Sequence, residues 1–363
     1  MSLLRQRIFN TELSVLDAAR DRISWIFDEF EEVQVSISGG KDSTVLLALA
    51  LQEAEKRNRV IEVFFLDQEA EYQATIELIR VQMQHPLIKP LWYQVPIYMT
   101  NATSTNDVFL YAWGDGQKWM RDKEPNAIQS ISEEYPKRFY EIFPWLEKRN
   151  PNKAYLIGLR AEESITRYRA TTKFPGYKGC RWSTTTSDGA NRFYPIYDWP
   201  WNSIWKFIYD YNLPYNKLYD LMFWQNYSVY KMRVSNLIHE KSYKCLIDLP
   251  RFEPETYDKL CSRISGISTA SRYASEKLMF SNKQLPKHYQ TWKEFRDFLL
   301  INIPNEEIKQ TFIKRYAKQL DNERSYKAQV GQLLIMDYEN SKSIDTKYEQ
   351  RTEEMKAKWM QLL

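Results

Sequence analysis

Val33-Gln34-Val35-Ser36-Ile37-Ser38-Gly39-Gly40-Lys41-Asp42-Ser43-Thr44-Val45-Leu46 is the stretch on which the fold turns. A run rich in β-branched residues, 33–38, meets two adjacent glycines, and 43–56 then sets Val45, Leu46, Leu49 and Leu51 at helical spacing. Strand, tight turn and helix in that order turn several backbone N–H groups toward one point and add the positive end of a helix dipole. Ser38, Lys41 and Ser43 supply side-chain donors, so polyphosphate is the expected occupant. The stretch is not G-x-x-x-x-G-K-[ST], because position 35 is Val35 and Asp42 follows Lys41. An acid inside a phosphate loop suits a Mg²⁺ ion arriving with the phosphates, which makes Asp42 the candidate metal ligand.

Outward from this turn the chain alternates. A helix is expected over 11–29, then strands over 60–66 and 91–98 with a helix over 70–84 between them. Residues 100–150 mix turn residues with helical pieces and read as an inserted helical region. Strands are expected over 154–159 and 193–196, and a helix over 201–211 that Pro214 ends. Such alternation predicts an α/β fold: a Rossmann-like parallel sheet with helices on both faces. Beyond about 221 the rhythm stops and the chain reads as helical with balanced charge, which divides it into an α/β domain over 1–220 and a helical region over 221–363.

A length of 363 residues with 43% hydrophobic and 27% charged residues fits a soluble globular chain and excludes wholesale disorder. No run approaches the ~18 apolar residues of a membrane span, and Met1 to Asn10 has Arg5 and Arg7 with no apolar run behind them, so neither membrane insertion nor secretion is expected. Cys180, Cys245 and Cys261 are too far apart for a C-x-x-C pair, which points to a cytoplasmic chain without a disulfide framework or iron–sulfur cluster. His85, His239 and His288 form no metal-ligand spacing. The net charge of +4 is small, but Arg160, Arg167, Arg169, Lys173, Lys178, Arg181 and Arg192 face only Glu162, Glu163 and Asp188 in one segment, which suggests an anionic ligand. Glycine is scarce, and Gly39, Gly40, Gly158, Gly176, Gly179 and Gly189 all fall in these two segments.

Ser38-Gly39-Gly40-Lys41-Asp42-Ser43 resembles the PP-loop of the adenine-nucleotide alpha-hydrolase superfamily. Leu66-Asp67 with Glu71 and Thr75 beyond, Gly158-Leu159-Arg160-Ala161-Glu162-Glu163-Ser164 with Arg167, and Tyr194-Pro195-Ile196-Tyr197-Asp198-Trp199 with Trp205 and Leu213-Pro214-Tyr215-Asn216-Lys217-Leu218-Tyr219 resemble, in order, segments of the phosphoadenosine phosphosulfate (PAPS) reductase family. The resemblance covers roughly 33–220 and implies a HUP-type fold that binds ATP with Mg²⁺, or PAPS. It implies that Ser36, Ser38, Gly39, Gly40, Lys41, Asp42 and Ser43 hold phosphates and that Asp67 borders the adenosine. Gly158 and Glu163 would line the site, while Lys41, Asp42, Arg160 and Arg167, joined by Arg169 and Arg192, would face the reacting end. Asp198 is expected to cap the helix near Trp201.

The chain departs from that family in one respect. Nothing in it matches the C-terminal E-C-G-[IL]-H that supplies the reductase thiolate, which argues against the reductase reaction itself. Cys180 is the one thiol in the basic segment, where cations would lower its pKa. The resemblance therefore implies an enzyme that cleaves between the α and β phosphates, adenylating an acceptor or supporting sulfur transfer. A nucleotide-sensing regulator is the alternative. Resemblance to proteins of phages and other mobile elements implies a ParB-like protein partner or nucleic acid beside it.

Overall fold

The computed structural model describes residues 12–101, 103, 109–172, 176–229, 232–234, 236–238, 243–273, 284–338, 340, 344 and 359–362. The chain forms two compact units, Met1–Tyr98 with Tyr111–Asn236, and Met99–Leu110 with Leu237–Leu363. Lys173, His239 and much of the C-terminal charged stretch lie outside the described residues.

The first unit runs α1 (Val15–Glu29), β1 (Val33–Ser36), α2 (Lys41–Lys56), β2 (Ile61–Leu66), α3 (Gln73–Gln82) and β3 (Ile88–Tyr93). Next in the chain is a two-stranded sheet, β4 (Ile97–Thr100) with β5 (Phe109–Ala112), of which residues 99–100 and 109–110 belong to the second unit; the first unit goes on with α4 (Phe139–Arg149), β6 (Ala154–Ile157), α5 (Ile165–Thr172), β7 (Ser183–Thr185), β8 (Asn191–Phe193), α6 (Trp201–Asp210) and α7 (Leu218–Trp224). The main sheet has the order β3-β2-β1-β6-β8-β7. All its pairs are parallel except β7–β8, so the Rossmann-like class read from the alternation is the observed one. The chain steps from β1 to β2 to β3 in one direction and then returns to place β6 on the other side of β1. The crevice at the carboxyl ends of β1 and β6 is thus the switch point at which open α/β sheets take ligands.

Apolar burial holds the layers together. Val33 and Val35 of β1 meet Val45, Leu46, Leu49 and Ala50 of α2, all 2% exposed or less, with Ile23 and Ile26 of α1 in the same cluster. Each fully buried aliphatic side chain of this kind contributes about 1.5–3 kcal/mol. Ser14 caps α1 by accepting the Asp17 N–H at 3.1 Å.

Two elements differ from expectation. The strand expected over 91–98 is split into β3 and β4 by Pro96, which has no N–H for the ladder. Among the described residues, 100–150 hold one helix, α4, behind a strand and irregular loops. Gly114, Gly116 at φ +72° and Pro125 break a helical path. Buried side chains take over the backbone donors there: Glu69 accepts from Trp113 and Met120 N–H at 3.0 and 3.1 Å, and Gln94 accepts from Glu124 N–H at 2.6 Å.

The second unit is helical, with α8 (Leu249–Phe252), α9 (Pro254–Arg263), α10 (Ile267–Tyr273), α11 (Trp292–Ile301), α12 (Glu306–Tyr316) and α13 (Glu323–Leu333). Leu300, Ile308, Phe312 and Leu333 form its core, and Thr291 with Glu294 closes a capping box on α11. No helix among the described residues is long and apolar enough to cross a membrane.

Asp198 does not cap α6, whose N-cap is Pro200. Its carboxylate instead receives two hydrogen bonds of 2.8 Å from Arg22 of α1, with the guanidinium 4.6 Å above the Tyr197 ring. The Asp198 side chain is 1% exposed. Arg22→Ala leaves that charge buried and unpaired, so it is expected to cost about 3–5 kcal/mol, read as a lower urea midpoint at unchanged m-value. A midpoint equal to wild type would mean that the pair holds nothing.

Candidate functional site

The turn after β1 is tied down through the Gly39 and Gly40 carbonyls, and its Ser38 and Lys41 N–H groups are held by the Ser43 and Tyr219 hydroxyls. Gly39 sits at φ +66°, and a Cβ there would stand 2.6 Å from Thr75 Cγ2, so only glycine fits. Asn216 Nδ2 donates to Gly39 O at 3.3 Å and to Thr75 Oγ1 at 2.9 Å. Ser43 Oγ and Thr44 Oγ1 both donate to Gly40 O at 3.0 Å, and Ser43 Oγ accepts the Ser38 N–H at 3.2 Å. Helix α2 begins at Lys41, two residues earlier than the sequence suggested, so Lys41, Asp42 and Ser43 form its first turn. First-turn N–H groups have no partner within a helix. Lys41 N–H reaches the Tyr219 hydroxyl at 3.2 Å. Gly158, just past β6, lies so close that a Cβ would meet Ser43 N at 3.0 Å and Asp42 C at 3.1 Å.

One carboxylate organises the charges. Asp42 Oδ2 accepts from Lys41 Nζ at 3.0 Å, and Asp42 Oδ1 accepts from Arg160 Nε at 2.5 Å. Arg160 Nη1 donates onward to Glu162 Oε2 and to Trp199 O, both at 3.1 Å. The same Glu162 oxygen accepts the Trp201 N–H at 2.8 Å, at the first residue of α6. Lys41 and Arg160 are 6% and 3% exposed. Burial by itself would raise the Asp42 carboxyl, but Lys41 and Arg160 outweigh it and hold it below the usual range. Burial lowers the Lys41 ammonium against the pull of Asp42, and Arg160 and Arg167 lower it further. Arg167 pairs with Glu163. Lys41, Arg160 and Arg233 line a cleft of ≈ 50 Å³ together with Glu162, Glu163 and Trp201.

The structure therefore brings Ser38, Gly39, Gly40, Lys41, Asp42, Ser43, Gly158, Arg160, Glu163 and Arg167 to one sheet edge. Ser36 ends β1 with its hydroxyl buried and unpartnered among the described residues. Other expected members turn elsewhere. Arg192 pairs with Glu147 of α4, Lys178 pairs with Glu29 of α1, and Arg169 lies exposed on α5. Gly179 and Gly189, at φ +79° and +87°, make turns beside the edge strand, and Gly176 packs on Ser183. With those cations engaged, burial pushes the Cys180 thiol up, reversing the expected activation.

Asp67 is fully buried. Its oxygens accept from Trp92 Nε1 and Gln94 Nε2 at 2.9 Å, from Glu69 N–H at 3.0 Å and from Arg121 Nη2 at 2.6 Å, all of them partners from within the fold. Asp42 does not suit a Mg²⁺ ion, since each of its oxygens already binds a cation. Among the described residues no group of three His, Cys, Asp or Glu is placed to hold a metal. Glu162 and Arg233 escaped the sequence reading. Glu162 stands next to the Glu163 that the motif claims, and Arg233 lies beyond the α/β rhythm.

Residues 32–226 match the family model described as phosphoadenosine phosphosulfate reductase domain, and residues 227–362 match a domain of unknown function, DUF3440. The chain is 28% identical over 314 residues to the uncharacterized protein YbdN of Escherichia coli K12, covering 81% of this chain and 76% of that protein. It is 27% identical over 206 residues to an adenosine 5'-phosphosulfate reductase of Bacillus mycoides KBAB4, covering 55% of this chain and 73% of the relative. A Candida auris PAPS reductase solved as a phosphate complex aligns with 64% of this chain and 97% of its own, at 13% identity and a TM-score of 0.35.

Gly158→Ala puts a methyl group against backbone that cannot yield without moving the loop, so affinity for pyrophosphate is expected to fall about tenfold or more, measured by titration calorimetry. Undiminished binding would show that the Ser43 side of the turn is not used. A second expectation concerns Glu71, whose carboxyl burial and the neighbouring Asp67 push up to about 8, against Arg121. The folded chain then keeps a proton that the unfolded chain releases near ~4.3, so this group subtracts stability as pH rises from there to about 8. Glu71→Gln is expected to melt higher than wild type above about pH 8 and equally near about pH 4. Equal melting at both would contradict it.

Proposed function

Because the chain belongs to the phosphoadenosine phosphosulfate reductase domain family, we propose that it binds an adenine nucleotide at the β1–β6 switch point and attacks ATP between its α and β phosphates. An acceptor atom bonds to the α-phosphorus, the bond from that phosphorus to the bridging oxygen breaks, and pyrophosphate leaves with the electron pair. The adenylated product is either the end point or the activated form for sulfur transfer.

One observation carries this reading: Lys41 and Arg160 are buried on a common carboxylate beside the first-turn N–H groups of α2. Charge developing on the leaving pyrophosphate meets donors already in position, which is the arrangement that lowers a barrier most. Arg167 adds a third cation at the same edge. Asp42 serves here as the counter-ion that fixes the two cations, and no step is assigned to a metal. PAPS, whose 5'-phosphate is joined through an anhydride oxygen to a sulfate and not to a second phosphate, is the alternative ligand. The reductase reaction named for the Bacillus relative is not assigned, since no E-C-G-[IL]-H stands in this chain.

A second reading is a nucleotide-sensing regulator acting with a ParB-like protein or a nucleic acid. It is favoured by the match of residues 227–362 to DUF3440 in place of a reductase tail. Lys41→Ala separates the two. Under the enzyme reading, wild type releases pyrophosphate from ATP and the variant loses about 10²–10³ in rate. Wild type that binds ATP but releases no pyrophosphate with any acceptor tried would leave the regulator.

A further inference from the structure

Tyr219 is absent from the phosphate-holding residues that the motifs suggest, yet it lies against the loop they build. Its side chain is almost wholly buried, its ring edge packs 5.2 Å from Trp205, and the Lys41 ammonium lies 5.6 Å from its ring centre. Its hydroxyl accepts the Lys41 N–H at 3.2 Å and would stand 3.6 Å from a Cβ at Gly40. Asn216, three residues earlier, is tied to Gly39 O and Thr75, so the segment bearing Tyr219 is held to the turn at two points.

A phenolic hydroxyl has one proton to give and two lone pairs to offer. Lys41 N–H uses a lone pair, and the proton finds no acceptor among the described residues. Burial raises the Tyr219 pKa, and Asp42 raises it further, so the group remains a donor at neutral pH. A buried donor left without an acceptor is costly, and native chains rarely tolerate one unless an ordered water or a ligand completes it. The neighbouring donors are those of an anion site, so the missing acceptor is anionic oxygen. Its place beside Lys41 and Gly40 sets it at the phosphate end of a nucleotide.

We infer that Tyr219 is a phosphate-binding residue, donating its hydroxyl proton to an oxygen of the bound pyrophosphate group while it accepts the Lys41 N–H. The inference rests on the nucleotide reading above and adds to it a residue and a direction: discrimination in favour of ligands with a pyrophosphate end.

Tyr219→Phe removes one oxygen and keeps the ring on Lys41 and Trp205. Titration calorimetry on the full chain uses two probes, inorganic pyrophosphate and adenosine. The variant is expected to bind pyrophosphate about tenfold or more weakly and adenosine as wild type does. Because the ratio between the probes is the readout, a general loosening of the fold, which weakens both equally, would overturn the assignment. Pyrophosphate affinity equal to wild type would overturn it too, leaving the nucleotide reading intact. If wild type binds neither probe, that reading falls and this one with it.

Discussion

Asp42 is the point on which the candidate site depends. Two cations a few ångströms apart and nearly out of water repel one another, and burial penalises each. A carboxylate that gives one oxygen to Lys41 and the other to Arg160 removes both objections at once. It also joins two pieces of chain that are 118 residues apart, the turn after β1 and the loop after β6. Arg160 continues the connection to Trp199 O and, through Glu162, to the first N–H of α6. Strand order, loop geometry and the start of α6 are therefore coupled through one chain of ionic contacts at the switch point.

A second buried carboxylate, Asp67, organises the other side of the unit by the same physics to a different end. It gathers Arg121, Trp92 and Gln94, and its backbone carbonyl accepts from Trp113 Nε1 at 2.8 Å. Arg121 lies 4.9 Å over the Trp113 ring. Glu69, held at φ +64°, turns its carboxylate onto two N–H groups of the same irregular segment. A segment without regular hydrogen bonding keeps a defined path because side chains supply the acceptors that a helix or ladder would have supplied.

What the sequence made legible was local. The turn at 36–43 could be read because strand, glycine pair and helix are adjacent in the chain, and the alternation on either side implied a parallel sheet. The partners of Arg192, Lys178 and Asp198 could not be read, since Glu147, Glu29 and Arg22 are brought to them only by the fold. A count of basic residues between 160 and 192 suggested one anion site, whereas the pairings divide those residues among several faces. For Asp67 the motif suggested a place bordering the adenosine but not the partners that surround it, which come from Trp92, Gln94 and a segment of no recognisable periodicity. Residues 100–150 read as turn residues mixed with helical pieces, and the one helix described there, α4, could not be separated from the irregular path around it because the sequence does not reveal which buried side chains will satisfy a backbone.

The balance of charge at the switch point has a consequence for selectivity. Lys41, Arg160 and Arg167 are matched by Asp42, Glu162 and Glu163, so with Arg233 the cluster carries only about one net positive charge before any ligand arrives. A site of this kind does not attract anions by bulk Coulomb force, which would favour any phosphate or carboxylate alike. An incoming group must instead offer oxygens that match fixed donors: the N–H groups of the first turn of α2, the ammonium of Lys41 and the guanidinium of Arg160. Under the proposed nucleotide reading, a pyrophosphate, with oxygens on two adjacent phosphorus atoms, would meet several of these donors together, whereas a monoanion would meet one or two. On that reading, selectivity would come from geometry held in advance by Asp42.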